Sequence, residues 1–396
     1  MKPFNLPWTR RSKAIVTGIG LALAVLLSGN WWSIYVHHVP NCRLEHCVAD
    51  FVIFYAQPLM LRENPHALYD LDQQLVYQQR FVPTDRVLIF PYPPITAALL
   101  TPLTLLSFSG AFLAMTVLNA ILLYATLRRL VRELGLARDQ TQWLVISTLC
   151  NFGILATLSN SHISIVVLYI LTCHLLAQRK QHDVVGGLWA GMLSVKLQYL
   201  ALPHFVLLLQ GARRSLFTGV ALAILLISGP FVLLGSHGFL QYVQILRRYS
   251  GSAHDWTNPL QAMHNLRALT GVWLPPPWDV ILWLAGTVAV LSAVIWINQN
   301  ARKGFNGFEI CWIGNSIALL LLSPHLFTHD LSLLVVPAAL ALRIAGAQVP
   351  LWLGLSLVAV GILPAINYLL PTASAALLVI LFVLSLRLTR TSLARI

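Results

Sequence analysis

A chain of 396 residues with 57% hydrophobic and only 10% charged residues cannot cover a soluble surface, which carries roughly 25% charge. The net charge of +13 would suggest nucleic acid in a soluble protein. Here, by the positive-inside rule, it marks sidedness instead, because about 18 of the 26 Lys and Arg fall in tails and connections on one side of a set of apolar segments. No basic and aromatic interleaving argues for nucleic acid, and the basic clusters suit anionic membrane lipids.

In chain order, a basic tail leads into an apolar run over 14–36, which is too long for a signal-peptide core and lacks a small-residue cleavage site at its end. It is read as an uncleaved first span. Residues 37–92 form a first external loop holding six of the thirteen acids. Within it, 50–61 is almost continuously apolar and 67–81 is amphipathic, so both are expected as helices lying in the membrane interface. Cys42 and Cys47 in this loop suit a disulfide in an oxidising compartment, with a metal pair as the lesser reading. Cys150, Cys173 and Cys311 lie in apolar stretches and read as core.

A helix crosses a bilayer in about 20 residues. Further spans are expected near 109–128, 141–159, 162–178, 215–234, 277–298, 307–323, 331–346, 349–367 and 372–388. Two short ones lie between 184 and 209, joined near Lys196. The Pro-broken stretch 93–107 is read as half-inserted. It should line a cavity, since irregular backbone at that depth needs cover from lipid. The sum is about 12 transmembrane helices in a single domain over 1–396, with both termini cytoplasmic and a second external loop at 235–276. The external side carries the longer connections.

Ionisable residues at membrane depth are expensive and serve as functional candidates. Asp50 opens the apolar 50–61 helix. It is either a general base, its pKa raised by apolar surroundings, or a helix N-cap. Lys196 sits at an external turn, where it suits a lipid-linked phosphate or snorkels to the headgroups. The run Ser323-Pro324-His325-Leu326-Phe327-Thr328-His329-Asp330 offers two His and one Asp for a polar substrate or phosphate. A metal or a simple helix cap are the other readings. Asn160-Ser161-His162 adds hydrogen-bonding groups at a polar turn. All four places fall on the external side, facing something amphiphilic. No P-loop or dinucleotide fingerprint is present, which argues against ATP or nucleotide-sugar use.

Several stretches in order resemble glycosyltransferase family 87 of the GT-C superfamily. They are Asp50-Phe51-Val52-Ile53-Phe54-Tyr55-Ala56, Asn64-Pro65-His66-Ala67-Leu68-Tyr69-Asp70, Phe90-Pro91-Tyr92-Pro93-Pro94, Pro102-Leu103, Ala190-Gly191 followed by Lys196, Arg213-Arg214, and Ser323-Pro324-His325 through Asp330. The resemblance implies a GT-C-type helical bundle and an inverting transferase. Such an enzyme moves a hexose, expected to be mannose, from a polyprenyl-phosphate donor to a glycolipid or glycan acceptor on the external membrane face. The expected setting is a bacterial inner membrane. The resemblance implies Asp50 as the base, Lys196, His325 and His329 as donor-phosphate ligands, and Tyr92, Asn160, His162 and Asp330 as substrate contacts. No cofactor or metal is expected, since the lipid-linked sugar is itself the substrate. Two departures bear on sugar and acceptor: Asn160-Ser161-His162 stands where many members carry Gly-Gln, and Lys196-Leu197 where many carry Lys-Pro. A lipid or sugar-lipid transporter, or a catalytically inactive relative, is the alternative.

Overall fold

The structure, a computed structural model, describes Gly18 and residues 49–251, 260–301, 304–366 and 372–393. The 14–36 span, the Cys42 and Cys47 pair and Trp256, Asn258 and Pro259 of the second loop lie outside the described residues. Among the described residues every regular element is helical.

The chain begins with α1 (Ala49–Glu63) and α2 (Leu71–Gln79). Residues 51–60 of α1 are buried without a break. Such a helix, apolar all round, belongs inside a core rather than along a surface, which differs from the one-sided interfacial burial expected of it. Its side chains anchor an aromatic cluster: the Phe51 ring lies 5.3 Å from Phe108 and 5.1 Å from Phe112, and Tyr55 lies 4.9 Å from Phe81. This second core is separate from the main bundle core.

The 93–107 stretch folds as α3 (Pro94–Leu100) and a 3-10 turn, Thr101–Leu105. It does not line the main cavity, which instead takes Leu88, Ile89, Pro91 and Tyr92 just before it. The stretch packs on α1 through Tyr55 Oη to Leu106 O (2.7 Å) and Arg62 to Thr104 Oγ1 (3.0 Å). Thr96 Oγ1 donates to Val195 O at 2.7 Å. Its other side is open, with Leu99, Leu105 and Leu106 exposed.

The long helix α4 (Phe108–Leu134) follows. Next come α5 (Arg138–Leu149) and α6 (Phe152–Ser159), bent by 53° where a single span was expected. Then α7 (Ser164–Arg179) leads to α8 (Asp183–Met192), a 3-10 turn (Leu193–Tyr199) and α9 (Ala201–Leu209). After these, α10 (Arg213–Ser228) and α11 (Phe231–Gly251) meet at 79°. The α11 helix runs on past a kink at Gly235 (φ 71°), so helix occupies much of what was read as the second external loop. It is followed by α12 (Leu266–Gly271), α13 (Trp278–Asn300), α14 (Gly307–Leu322), a 3-10 turn (Thr328–Leu334), α15 (Val335–Ala345), α16 (Leu351–Ile362) and α17 (Ala373–Leu393).

Among the described residues, four helical segments are long and apolar enough to cross a membrane, or six if each bent pair is one span. Their burial differs. The apolar window of α13 is 17% buried, as for a helix facing lipid, whereas that of Thr328–Ala345 is 67% buried. The helices α8 and α10 approach closely. A Cβ on Gly187 would lie 2.3 Å from Ser215 O, and one on Gly191 would lie 2.7 Å from Gly219 O. At the basic end, Lys180 Nζ pairs with Glu133 Oε2 at 2.6 Å and ties α7 to α4. Cys150, Cys173 and Cys311 are buried, as expected of core residues.

Candidate active site

Asp50, Tyr92, Asn160, His162, Lys196, His325, His329 and Asp330 all line one cavity of about 600 Å³. Apolar walls come from Ile53, Phe152, Ala156, Leu246 and Phe327. The cavity lies where the α1 core meets the main bundle.

Asp50 stands in the first turn of α1, where the helix dipole favours an anion. Burial among apolar walls outweighs this and raises its pKa to about 6, with Lys196 pulling down and Asp330 pushing up. Its side chain remains 40% exposed, opening into the cavity.

Lys196 breaks the helical path with φ −141° and ψ 88°, which turns its side chain inward. The ammonium is 5% exposed and forms an ion pair with Asp330, itself 1% exposed. A buried charge needs such a partner. Asp330 also accepts from Ser164 Oγ (2.6 Å) and Gln198 Nε2 (3.3 Å).

His329 stands between the two carboxylates, with Nδ1 3.6 Å from Asp50 Oδ2 and Nε2 3.6 Å from Asp330 Oδ2. Its ring stacks on His162 with centroids 3.5 Å apart and planes 26° from parallel. His162 Nδ1 lies 2.8 Å from Ser164 Oγ, and its Nε2 lies 3.2 Å from Tyr92 Oη. Asp330 accepts the Ser164 hydroxyl hydrogen, so Ser164 Oγ takes its own hydrogen bond from His162 Nδ1–H. The Ser164 amide, 3.2 Å from Nδ1, would favour the other tautomer. The carboxylate decides, because it can only accept. His162 Nε2 therefore presents a lone pair towards Tyr92 and the cavity.

Asn160 ends α6, and its Nδ2 is used on Ala156 O at 3.0 Å. The residue lines the cavity. His325 packs on Tyr249 at 4.4 Å, and burial with Arg267 and Lys196 nearby holds its pKa near 3. It is therefore neutral at physiological pH.

Asp50, His162 and His329 each offer a ligand atom within 4.8 Å of the others, the spacing of a metal trio. A metal must lie in the plane of each imidazole at about 2.0–2.1 Å. Two rings stacked face to face share no such point, so this arrangement suits paired rings rather than chelation.

Sequence reasoning missed the supporting groups. Ser164 and Gln198 complete the Asp330 shell, and each lies two residues from a residue already singled out. His264 and Asn265 brace the 323–328 turn. His264 N donates to Leu326 O at 2.8 Å, His264 Nε2 lies 3.0 Å from Thr328 Oγ1, and Asn265 Nδ2 donates to Ser323 O at 2.7 Å. No local pattern marks that pairing.

No curated protein and no solved structure matches the chain. The sequence model for glycosyltransferase family 87 matches residues 90–324, more than half of the chain. That range takes in Tyr92, Asn160, His162 and Lys196, stops just short of His325, and leaves Asp50 upstream. With its several apolar helices and this match, the chain is an integral membrane protein that belongs to glycosyltransferase family 87.

Proposed function

We propose that this glycosyltransferase takes a hexose, mannose by family resemblance, from a polyprenyl-phosphate donor and transfers it with inversion to a glycolipid or glycan acceptor. The setting is the external face of a bacterial inner membrane, with both termini cytoplasmic. The observation that carries the reading is a single apolar-walled cavity. It holds a carboxylate with pKa about 6 together with a buried ammonium.

In this reading Asp50 removes the acceptor hydroxyl proton. The oxygen forms a bond to the anomeric carbon from one face. The bond from that carbon to the phosphate oxygen breaks on the other face, and its electron pair leaves with the lipid phosphate. One displacement needs one base and no sugar–enzyme bond. Lys196 has three N–H donors, of which Asp330 uses one, so the others remain to steady the departing phosphate. His325 and His329 act beside it as neutral donors, while Tyr92, Asn160, His162 and Asp330 contact the sugar. The pKa of Asp50 suits a base working near neutral pH.

The test is transfer of labelled sugar from polyprenyl-phosphate mannose into a membrane lipid extract, by wild type and Asp50→Asn in nanodiscs. A general base contributes about 10²–10⁴-fold, so the variant should lose activity by that order. The kcat/KM of the wild type should fall tenfold per pH unit below about 6 as Asp50 is protonated. An Asp50→Asn enzyme as active as wild type removes Asp50 from the base role. No transfer by folded wild type from several such donors favours the transporter or inactive reading.

A further inference from the structure

A chain of hydrogen bonds runs behind the cavity wall through Ser164, a residue that does not line the cavity. It starts at Tyr92 Oη, 3.2 Å from His162 Nε2, and passes from His162 Nδ1 to Ser164 Oγ at 2.8 Å. It ends at Asp330 Oδ1, 2.6 Å from Ser164 Oγ. Both rings in the chain are held in place. Tyr92 packs 5.3 Å from Phe54 and 5.2 Å from Phe90, and its carbonyl accepts from Tyr69 Oη at 2.9 Å. The His162 ring lies 5.0 Å from Phe54 and stacks on His329, and its carbonyl accepts from Asn119 Nδ2 at 3.0 Å. Turning the imidazole over would set carbon against both Ser164 and Tyr92. Only the hydrogens are left to choose a direction.

That direction is set at the far end. Asp330 is an anion paired with Lys196 and can only accept. It takes the Ser164 hydroxyl hydrogen, Ser164 Oγ takes His162 Nδ1–H, and His162 Nε2 takes the Tyr92 hydroxyl hydrogen. The His162 ring is 1% exposed, with His329 stacked on it and the Lys196 ammonium nearby, which keeps it neutral. A phenol has one hydrogen to give. Once that hydrogen is committed to His162, Tyr92 Oη has only acceptor capacity left for a ligand.

We propose that this chain fixes Tyr92 as a hydrogen-bond acceptor for one hydroxyl of the transferred hexose, so that Ser164, acting through His162, selects sugars with a donor hydroxyl at that position. The proposal deepens the transferase reading above and rests on it. Tyr92 lies close enough to Asp50 and Asp330 to interact with their charges, which puts it within reach of the hexose itself. Ser164 is a positioning residue. In Ser164→Ala the backbone amide of residue 164, 3.2 Å from His162 Nδ1, is the remaining partner for that nitrogen. It donates, so the imidazole hydrogen moves to Nε2, and Tyr92 turns its own hydrogen towards the sugar. The contact then reverses polarity with no change at the cavity wall.

Two measurements test it on the full-length protein in nanodiscs. In the first, kcat/KM is measured for polyprenyl-phosphate mannose and for each of its singly deoxyfluorinated analogues, since fluorine accepts weakly and donates nothing. Comparing enzymes on the same analogue cancels the intrinsic effect of fluorine on the reaction. At one position wild type should disfavour the analogue about tenfold more than Tyr92→Phe does, the scale of one buried hydrogen bond, and Ser164→Ala should lose the same discrimination. A Ser164→Ala enzyme that discriminates as wild type does, or a Tyr92→Phe enzyme that does so at every position, overturns the proposal. In the second, solid-state NMR of protein with isotope-labelled histidine nitrogens reads the tautomer, and His162→Gln identifies the His162 signals among the thirteen histidines. Wild type should carry the hydrogen on Nδ1 and Ser164→Ala on Nε2. An Nε2–H tautomer in wild type overturns the proposal whether or not sugar is transferred. An Nδ1–H tautomer with no transfer by wild type defeats the transferase reading and leaves the direction of the chain standing. Transfer with equal discrimination by all three enzymes does the reverse.

Discussion

A carboxylate in the first turn of a helix is ordinarily favoured as an anion, yet Asp50 is held near pKa 6 by burial. The sign of the stability effect follows. The folded-state value lies above the ordinary 3.8, so the folded protein binds the proton more tightly. Stability from this group is complete below about pH 4 and is lost as pH rises through about 6. Asp50→Asn should therefore melt above wild type at pH 7.5 while failing to transfer sugar, and the gap should close as pH falls towards 4. Equal melting temperatures at both pH values would show that burial does not strain this group. The Lys196–Asp330 pair makes the opposite expectation. Removing one member of a buried pair costs about 3–5 kcal/mol, so Lys196→Met should unfold markedly earlier in a denaturant titration. Lys196→Met with Asp330→Leu should recover part of that loss, and a single variant as stable as wild type would show the pair to be weak. Each of these residues was legible in the sequence, because a charge in an apolar stretch needs a reason. Their pairing was not: Lys196 and Asp330 are 134 positions apart, and no local pattern joins them.

The elements were legible where length and apolarity agreed. Helices α4, α13 and α17 lie close to the spans expected near 109–128, 277–298 and 372–388. The bend between α5 and α6 was hidden, because Cys150 and Asn151 carry no proline or glycine to mark a break in the apolar run. The α10–α11 bend falls at Gly229 and Pro230, a turn signal inside a stretch read as one span. Close helix contact was also hidden, because it depends on which small residues face each other. Gly187 and Gly191, four apart on α8, let α10 approach to backbone distance. Gly187→Ala should lower thermal stability by about 1–3 kcal/mol through overpacking against the Ser215 carbonyl. Since α8 leads directly into the turn holding Lys196, kcat should fall in the same variant at temperatures where it is still folded. A variant matching wild type in both would show that the helices can separate at no cost.

For the whole molecule, the cavity at the seam of two cores draws on residues from Asp50 to Asp330. About seven tenths of the chain is therefore needed to enclose it. The late position of Asp330 constrains the order of assembly during synthesis. When the 193–199 turn first meets the membrane, its lysine has no counter-ion, and an unpaired ammonium stays at the aqueous surface. The turn can sink only after the 328–334 segment has arrived with its carboxylate. A chain ending at Leu322 should therefore leave Lys196 open to an aqueous amine-reactive reagent in isolated membranes, while the complete chain protects it; equal protection in both would show that the turn buries itself unaided. The catalytic chamber thus closes late, and quality control that samples exposed lysine during insertion would see it open until the 328–334 segment has been made.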